Sequence, residues 1–563
     1  MRINFVPRSK KSLVLRFAVA SVFTAAMVTP AVGADSLPPA PINLIAPTAI
    51  PNVAPLPFTG VKVAKFTTST TMPNLLVSPS TGYVGDAVVV SGTGLAANTT
   101  LDLTWSTLSP TWVADIQPNT VNYMGYSFAD KFSVKMTTVT TDATGAFTFK
   151  SKIPEDFGGI HDIYALQAGV AIAHGGFQMG RGFTMSPKSG PIGTPITVTY
   201  TGMGGSLYTA GAAAYWDNNF AGEMQSMWTR GTAKIVLRAS GAVGNHVLEV
   251  KNALQTAYLN VIQSPIPYTN SGTGIFKVTK DNGLLPAKII YPAIMEPTVA
   301  ARTMLSTTGL DPNSKAEAKL SVSSGTINTK TTMSVTGLST TGTHQIVWAT
   351  VVGNRVNCTG VCWAYDALPV ATVDVTGTSF TKELTVPDNL GGWHVLQVKK
   401  GDLIEAQIPF YLKQSIMPFL DKAGKVIGMG IAKSDLSTAP DVIARGQSGA
   451  PTNKFKSGEE FTISLKGVGW TQFDNTQAVT YDNSFVGYGC GFNSNGYVVI
   501  HLRATGAPGT HIIDLHPVMY TNQPSFANTP YGMMPVLTSD RDFPALALGY
   551  QIPSYQFSIT VTK

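Results

Sequence analysis

The sequence has few charged residues and few cysteines. Only 13% of its 563 residues are Asp, Glu, Lys or Arg, against roughly 25% in an average soluble protein. The hydrophobic share of 44%, with 54 glycines and 36 prolines, excludes a disordered chain, a coiled coil and a highly charged nucleic-acid-binding protein. Three cysteines are too few for a disulfide scaffold or a tetrahedral thiolate zinc site. We expect several globular domains with no metal and no cofactor.

The net positive charge is concentrated at the N-terminus. The formal charge is +7, and five of the 39 basic residues precede the first acidic residue, namely Arg2, Arg8, Lys10, Lys11 and Arg16. Without these five, 34 basic residues stand against 32 acidic ones, a balance of +2. A nearly neutral surface does not attract nucleic acid or an anionic membrane. We therefore expect no nucleic-acid partner.

The same N-terminal segment has the three parts of a secretory signal peptide. The basic residues are followed by an apolar run at 17–28 and then by Val-Gly-Ala at 32–34, with short side chains where signal peptidase cleaves. We predict cleavage after Ala34, which removes residues 1–34. No later stretch reaches about 18 uninterrupted apolar residues, so no transmembrane segment is predicted. The expected location is the extracellular space or the cell surface, with the periplasm as the alternative.

The cysteines allow one local disulfide. Cys358 and Cys362 flank Gly360 and are close enough to form a small disulfide in an oxidising compartment. Two free thiols are the alternative. Cys490 is then either free or paired with another molecule.

Glycine-rich turns followed by alternating strands recur along the chain. One copy runs over 78–94, a second over 186–202, and weaker copies begin at Ser323 and Ser457. Each combines a turn with a strand of period two that stops at a glycine. Helical patterning is scarce. The pattern predicts an all-β protein of sandwich modules.

The Ser-Pro-x-x-Gly-x-x-Gly opening and the Gly-x-Gly stop resemble the first two strands of IPT/TIG-type immunoglobulin-like domains. Such domains are found widely in exported bacterial proteins. The resemblance covers only the opening of each module. It implies an immunoglobulin-like β-sandwich rather than a particular activity.

The modules are themselves duplicated. Segment 153–161, Ile-Pro-Glu-Asp-Phe-Gly-Gly-Ile-His, matches segment 386–394, Val-Pro-Asp-Asn-Leu-Gly-Gly-Trp-His, without a gap. In a second pair of modules an Asp precedes an Arg by 21 residues and that Arg precedes a His by 8, at 217, 238 and 246 and again at 482, 503 and 511. We interpret the mature chain as a string of about four modules in the order A-B-A′-B′.

The predicted boundaries follow from these repeats. They are a signal peptide at 1–34, a Pro-, Ala- and Thr-rich linker at 35–74, module A at 75–180, module B at 181–265, a connector at 266–317, module A′ at 318–415, a second connector at 416–453, and module B′ with a C-terminal extension at 454–563.

Four histidines occupy equivalent positions, each two residues after a glycine at the start of a strand: His161, His246, His394 and His511. A histidine repeated in every module is more economically a structural residue, with one ring nitrogen bonded to a loop carbonyl, than a ligand. Trp105 and Trp348 lie in equivalent strands. We predict that both belong to the sandwich core rather than to a carbohydrate-binding platform.

The clearest candidate site is a polar constellation repeated in B and B′. Its members are Trp216, Asp217, Asn218, Arg238 and His246 in B, and Tyr481, Asp482, Asn483, Arg503 and His511 in B′. We expect a hairpin to place the Arg opposite the His and a turn to bring the Asp to the Arg. This arrangement would bind a sugar or a carboxylated ligand, with Trp216 or Tyr481 as the stacking surface. The alternative, which we favour, is an ion pair that fixes the turn.

These features favour an exported structural, adhesive or ligand-binding protein of the cell envelope or extracellular space. A surface glycan or an envelope protein is the candidate partner. The sequence contains no nucleophile elbow, no His-Glu-x-x-His, no phosphate loop and no calcium loop. The alternative is a secreted polysaccharide-active enzyme or its accessory subunit, because glycosidase carboxylate pairs leave no local signature.

Overall fold

A computed structural model describes residues 48–50, 61–117, 120–206, 209–252, 259–260, 262–263, 272–292, 301, 304–353, 363–434, 450–471, 473–491, 494–519, 533–538 and 542–563. The predicted signal peptide and the pair Cys358 and Cys362 lie outside the described residues. All described residues belong to one unit, 39–563.

Module A consists of two sheets. Its strands are β1 (Thr48–Ile50), β2 (Val61–Lys62), β3 (Thr67–Thr68), β4 (Leu76–Ser78), β5 (Thr81–Gly82), β6 (Ala87–Gly92), β7 (Thr100–Gln117), β8 (Thr120–Thr140), β9 (Phe147–Lys152), β10 (Gly159–Gln167) and β11 (Val170–Met179). The smaller sheet has the order β4-β6-β9 and the larger β2-β8-β7-β10-β11-β3, with β1 on β7 and β5 on β11. Alternate side chains of β6, Val88 and Val90, are buried between the two sheets.

Module B repeats this arrangement. Its strands are β12 (Gly182–Ser186), β13 (Ser189–Gly190), β14 (Pro195–Thr201), β15 (Gly211–Trp216), β16 (Asn219–Gln225), β17 (Ala233–Arg238), β18 (Gly244–Asn252) and β19 (Gly272–Val278). The sheets have the orders β12-β14-β17 and β13-β19-β18-β15-β16. A separate strand, β20 (Lys288–Ile290), follows.

Module A′ has the same two sheets. Its strands are β21 (Glu317–Leu320), β22 (Ser324–Gly325), β23 (Lys330–Thr336), β24 (Gly342–Gly353), β25 (Trp363–Val375), β26 (Ser379–Thr385), β27 (Gly392–Lys400) and β28 (Leu403–Leu412). The orders are β21-β23-β26 and β22-β28-β27-β24-β25.

Module B′ differs most from the other modules, because it has additional strands and a short helix. Its elements are β29 (Ser415–Ile416), β30 (Pro418–Leu420), β31 (Val426–Met429), β32 (Ile431–Lys433), β33 (Lys454–Lys456), β34 (Glu460–Lys466), β35 (Thr476–Tyr481), β36 (Ser484–Cys490), β37 (Val498–Arg503), β38 (Gly509–Met519), β39 (Met534–Pro535), the short helix α1 (Pro544–Ala547) and β40 (Ser554–Thr562). One sheet joins β29, β32 and β37 to β34, a second has the order β20-β40-β38-β35-β36 with β33 and β39 attached, and β30 and β31 form a separate two-stranded sheet. In the part of the chain that the structure describes, no helix is long and apolar enough to span a membrane.

A short parallel strand identifies the fold in every module. Within the glycine-rich opening, or directly before it in B′, β5, β13, β22 and β33 pair in parallel with β11, β19, β28 and β40 of the larger sheet. The smaller sheet packs face to face on the larger one. The chain is therefore all-β, with four immunoglobulin-like β-sandwich modules in the duplicated order A-B-A′-B′.

Strands also occupy the segments predicted as linker and connectors, and these boundaries were wrong. In the segment 35–74, β2 pairs with β8 and β3 with β11. In the segment 266–317, β19 completes the larger sheet of B, whereas β20 pairs with β40 of B′. In the segment 416–453, β29 and β32 both pair with β34. Strands of two or three residues have too little alternation to be recognised without their partners.

The modules share a core in addition to their own interiors. Each sandwich encloses a cluster of buried apolar residues. A further cluster draws side chains from all four modules and from α1, including Trp112, Trp228, Trp393, Trp470 and Leu546. Burial of several aromatic side chains at one junction stabilises the packing of the modules against one another.

Candidate functional site

The four repeated histidines form the same structural corner. Each is the third residue of its strand, in β10, β18, β27 and β38. Each Nε2 lies within hydrogen-bond distance of the carbonyl oxygen four residues earlier, at 2.6, 2.7, 2.7 and 2.8 Å for His161, His246, His394 and His511. This is the loop-carbonyl bond expected of structural histidines.

An aromatic ring covers each histidine. The ring centroids of Trp105 and Trp348 lie 4.3 and 4.6 Å from those of His161 and His394, and both tryptophans are buried in the core as predicted. Trp216 stacks on His246 at 5.3 Å and is only 2% exposed. It therefore offers no stacking surface to a ligand.

In B′, Tyr481 takes the place of this tryptophan. Its ring centroid lies 5.5 Å from that of His511. Its hydroxyl group donates a hydrogen bond to the carbonyl oxygen of Thr505 at 2.8 Å. Burial raises the pKa of Tyr481 to about 12. The side chain thus supports the loop before His511.

The aspartates of the constellation bind the histidines, not the arginines. Asp217 Oδ2 lies 2.5 Å from His246 Nδ1, and its Oδ1 accepts the backbone N–H of Val247 at 2.8 Å. Asp482 makes the equivalent 2.5 Å contact with His511. The predicted turn is present: Asp217 and Asn218 have φ angles of 48° and 66°, which join β15 to β16 in a tight left-handed turn. Asn218 is exposed at its tip.

The predicted hairpin between Arg238 and His246 was wrong. Arg238 ends β17 in the smaller sheet of B, whereas His246 lies in β18 of the larger sheet. The segment between them crosses from one sheet to the other. Equal spacing in the two copies reflects a repeated crossover, which the sequence alone does not distinguish from a hairpin.

Arg238 instead joins module B to module B′. Its guanidinium contacts the Asp514 carboxylate through Nε–Oδ2 at 3.2 Å and Nη2–Oδ1 at 2.5 Å. It also donates to the carbonyl oxygens of Ile513 at 3.1 Å and Phe557 at 2.8 Å. Arg238 and Asp514 are each only 5% exposed. A buried two-point ion pair of this kind fixes the orientation of the two modules.

Asn483 completes the contact from the B′ side. Its amide donates to the carbonyl oxygen of Arg238 at 2.8 Å and to Ser240 Oγ at 2.9 Å. The equivalent Arg503 is exposed, pairs with Glu460 and donates to the carbonyl oxygen of Gly458 at 3.0 Å. The predicted site residues are thus divided among two histidine corners, one module contact and one surface ion pair.

A second buried ion pair, between A and B, was missed by sequence reasoning. Asp156 accepts hydrogen bonds from Trp105 Nε1 and Thr107 Oγ1, both at 2.9 Å, and lies 3.0 Å from Arg230 Nη2. Asp156 is fully buried and Arg230 is 1% exposed. The signal in the sequence is the change from Asp156 to Asn389 within the otherwise similar segments 153–161 and 386–394.

A cavity of about 720 Å³ opens in module A, and sequence reasoning missed it too. Its charged lining residues are Lys62, Lys65, Lys131 and Asp162, and its Phe and Tyr residues are Phe66, Phe132, Phe157 and Tyr164. The Lys62 ammonium lies 4.6 Å from the centroid of the Phe132 ring. These residues come from separate segments that only the folded sheet brings together, so no local motif marks them.

Among the described residues, no group of three or more His, Cys, Asp or Glu residues is placed to hold a metal ion. Cys490 is exposed and forms no disulfide with a described residue.

No protein-family model and no curated protein matches the chain. Among solved structures it is similar to native α2-macroglobulin of Escherichia coli, with 8% identity over 90% of this chain and 32% of that one and a TM-score of 0.14. It is similar to the E. coli adhesin FdeC, with 10% identity, coverage of 60% and 95%, and a TM-score of 0.13. It is also similar to a putative membrane-anchored protein of Corynebacterium diphtheriae, with 10% identity, coverage of 60% and 90%, and a TM-score of 0.15. The chain spans about a third of the length of the α2-macroglobulin.

Proposed function

We propose that the protein is an exported structural or adhesive protein of the cell surface, and that module A binds an acidic glycan. The observation that carries the proposal is the cavity of about 720 Å³ in module A, a volume within the range of ligand-binding pockets. We also propose, from the opening motifs, that the modules are of the IPT/TIG type.

The charge of the cavity favours an anionic ligand. Three lysines line it against a single carboxylate among its described lining residues, Asp162. That carboxylate lies 2.9 Å from His174 Nε2, so part of its hydrogen-bonding capacity is already used. The cavity therefore attracts a carboxylated or sulfated group more strongly than a neutral one.

The aromatic residues favour a sugar over a small anion. Phe66 and Tyr164 pack edge to face with centroids 5.2 Å apart, and Ser106 and Ser133 add hydroxyl groups to the lining. Flat apolar rings beside hydroxyl groups suit a sugar ring, which has apolar faces and a polar edge.

The same lining argues against hydrolysis at this place. Glycoside hydrolysis uses two carboxyl groups on either side of the scissile bond. The described lining provides one. Binding without turnover is therefore the better interpretation.

The test is calorimetric titration with two probes of equal length, an oligogalacturonate and a neutral maltooligosaccharide. We expect the acidic probe to bind and its affinity to fall with added salt. The combined variant Lys62→Ala, Lys65→Ala and Lys131→Ala should lose affinity about ten-fold or more, in keeping with the loss of several charge contacts. Lys150→Ala with Lys152→Ala is the matched control, because both lysines are exposed on β9 of the same module and outside the cavity. Equal binding of both probes, no binding of either, or an unaffected triple variant would each contradict the proposal.

A further inference from the structure

The contact between B and B′ joins two like modules through unlike surfaces. B contributes what we call its arginine surface, Arg238 with Ser240. B′ contributes its acidic surface, Asn483, Ile512 and Asp514. Ile512 packs into the apolar cluster of B. The contact is therefore heterologous: each module uses a different part of the same fold.

Both modules carry both surfaces. Positions in B recur 265 residues later in B′, as from 238 to 503. The arginine surface of B′ is Arg503 with Thr505, and the acidic surface of B is Asn218, Val247 and Glu249. The arginine and the asparagine are the same in both copies. The other three positions differ conservatively: Ser240 corresponds to Thr505, Ile512 to Val247 and Asp514 to Glu249. The hydrogen-bonding groups, the charges and the apolar centre are thus all conserved in kind.

The copies within the contact are buried and the other copies are open. Asn483, Ile512 and Asp514 are 2%, 1% and 5% exposed. In B, by contrast, Val247 is 42% exposed and Asn218 is exposed. Beside Val247 on the neighbouring strand lies Ile275, which is 57% exposed. Val247 and Ile275 form a small exposed apolar patch, and Val247 holds the position that Ile512 occupies in the buried B–B′ contact.

The arginine surface of B′ is open in the same way. The Arg503 side chain is 63% exposed and pairs with Glu460, and Thr505 is exposed. Glu249 lies 3.2 Å from Lys251 on the same strand. The Arg503 pair is exposed, and an exposed ion pair contributes about 0–1 kcal/mol to stability, so replacing Glu460 as the partner of Arg503 costs little. The Glu249–Lys251 pair is half-buried, but the Glu249 carboxylate still reaches solvent.

We propose that a second copy of this chain covers these surfaces: the arginine surface of B′ in one molecule docks on the acidic surface of B in the next. Arg503 then pairs with Glu249. The Asn218 amide donates to the carbonyl oxygen of Arg503, as the Asn483 amide donates to the carbonyl oxygen of Arg238 within the chain. Because the contact is heterologous, each added molecule leaves one surface of each kind open. Association therefore proceeds head to tail, to a closed ring or an open filament.

The contact between molecules is weaker than its counterpart within the chain. Module B also uses Asp281, which accepts the backbone N–H of Thr510 at 2.7 Å, and Leu285, whose backbone N–H donates to Ser558 Oγ at 2.8 Å. Both residues follow β19 and add area that only the B–B′ contact has. We expect association that depends on protein concentration and weakens with added salt.

Sedimentation velocity of the purified protein over a concentration series tests this proposal. Arg503→Glu and Glu249→Arg are each expected to weaken association about ten-fold or more, because each sets like charges against one another. An equimolar mixture of the two variants restores opposite charges at every contact and should associate again. Lys330→Glu and Glu383→Arg are matched controls, since this exposed ion pair of A′, 3.0 Å apart, lies on other strands. Arg503, Lys330 and Glu383 are exposed and Glu249 is half-buried, so unchanged melting curves of all four variants are required to verify folding.

Loss of association in both single variants with recovery in the mixture supports the proposal. A monomer at every concentration would overturn it, as would association that both charge reversals leave unchanged. Neither result depends on the glycan proposal, because the residues concerned lie outside the cavity of module A.

Discussion

The two halves of the molecule build the same contact between an A-type and a B-type module from different side chains. The backbone hydrogen bond is equivalent in the two halves. Gly158 N–H donates to the carbonyl oxygen of Met203 at 2.8 Å, and Gly391 N–H donates to the carbonyl oxygen of Val468 at 3.0 Å. Beside this bond the first half has the buried ion pair of Asp156 and Arg230.

The second half has amides at both of those positions. Asn389 accepts a hydrogen bond from Thr350 Oγ1 at 2.5 Å, and Asn495 donates to the carbonyl oxygen of Asp388 at 3.3 Å. The comparison teaches that the backbone determines how the modules dock. The side chains are exchangeable when they change together, since a single buried charge is destabilising.

The same comparison extends to Arg238 and Arg503, which share a position in the repeat but not an environment. Arg238→Ala should lower the free energy of unfolding by about 3–5 kcal/mol, because Asp514 stays buried without its cation. Arg503→Ala should lower it by about 0–1 kcal/mol, because its ion pair is exposed. Urea unfolding of both variants measures the difference. The double variant Arg238→Ala with Asp514→Ala should recover part of the loss, and equal losses in the two single variants would refute the distinction.

The A–B contact can be converted into the A′–B′ contact by mutation. Asp156→Asn should lower the free energy of unfolding by about 3 kcal/mol, because the Arg230 guanidinium loses its carboxylate while the new amide still accepts hydrogen bonds. Adding Arg230→Asn places amides at both positions, as in the second half, and should recover most of this loss. Urea unfolding of the single and double variants is the measurement. If the double variant loses as much free energy of unfolding as the two single variants added together, the two junctions are not interchangeable.

The histidine corners differ in their response to pH. Burial lowers the pKa of His394, between two backbone carbonyls, to about 4. An unfolded histidine, with a pKa of about 6.5, takes up a proton before the folded one does. Stability should therefore fall as the pH drops from about 6.5 to 4, by at most about 3 kcal/mol. His394→Gln should remove this acid sensitivity in urea unfolding.

His511 is the internal control with the opposite sign. Burial opposes its charged form, but the hydrogen bond and charge of Asp482 outweigh burial and raise its pKa. Its contribution to stability is complete below the unfolded pKa and is lost as the pH rises through the raised folded value. His511→Gln should therefore reduce stability more at acidic than at alkaline pH. Identical pH profiles for the two variants would contradict the assigned environments.

The features that the sequence predicted are those with a local period. Alternation in β6 and β14 indicated strands with one buried face, and the recurrence of histidine indicated a common corner. The partner of Arg238 could not be predicted this way, because Asp514 lies 276 residues further along the chain and belongs to another module. The cavity of module A was hidden for the same reason: Lys62, Lys131 and Tyr164 become neighbours only after the sheet forms.

The last strand of module B′ is synthesised long after one of the strands with which it pairs. β40 pairs with β38 and β33 of its own module and also with β20, where Lys288 lies opposite Gln556. During synthesis β20 precedes this partner by 268 residues, from 288 to 556, which at about 5–20 residues per second is roughly ten seconds to a minute. For that interval β20 and the side of module B that contacts B′ are complete in sequence but unpartnered. A nascent chain released before residue 514 would expose Arg238 without its carboxylate, and such fragments should be the ones that bind chaperones or are degraded.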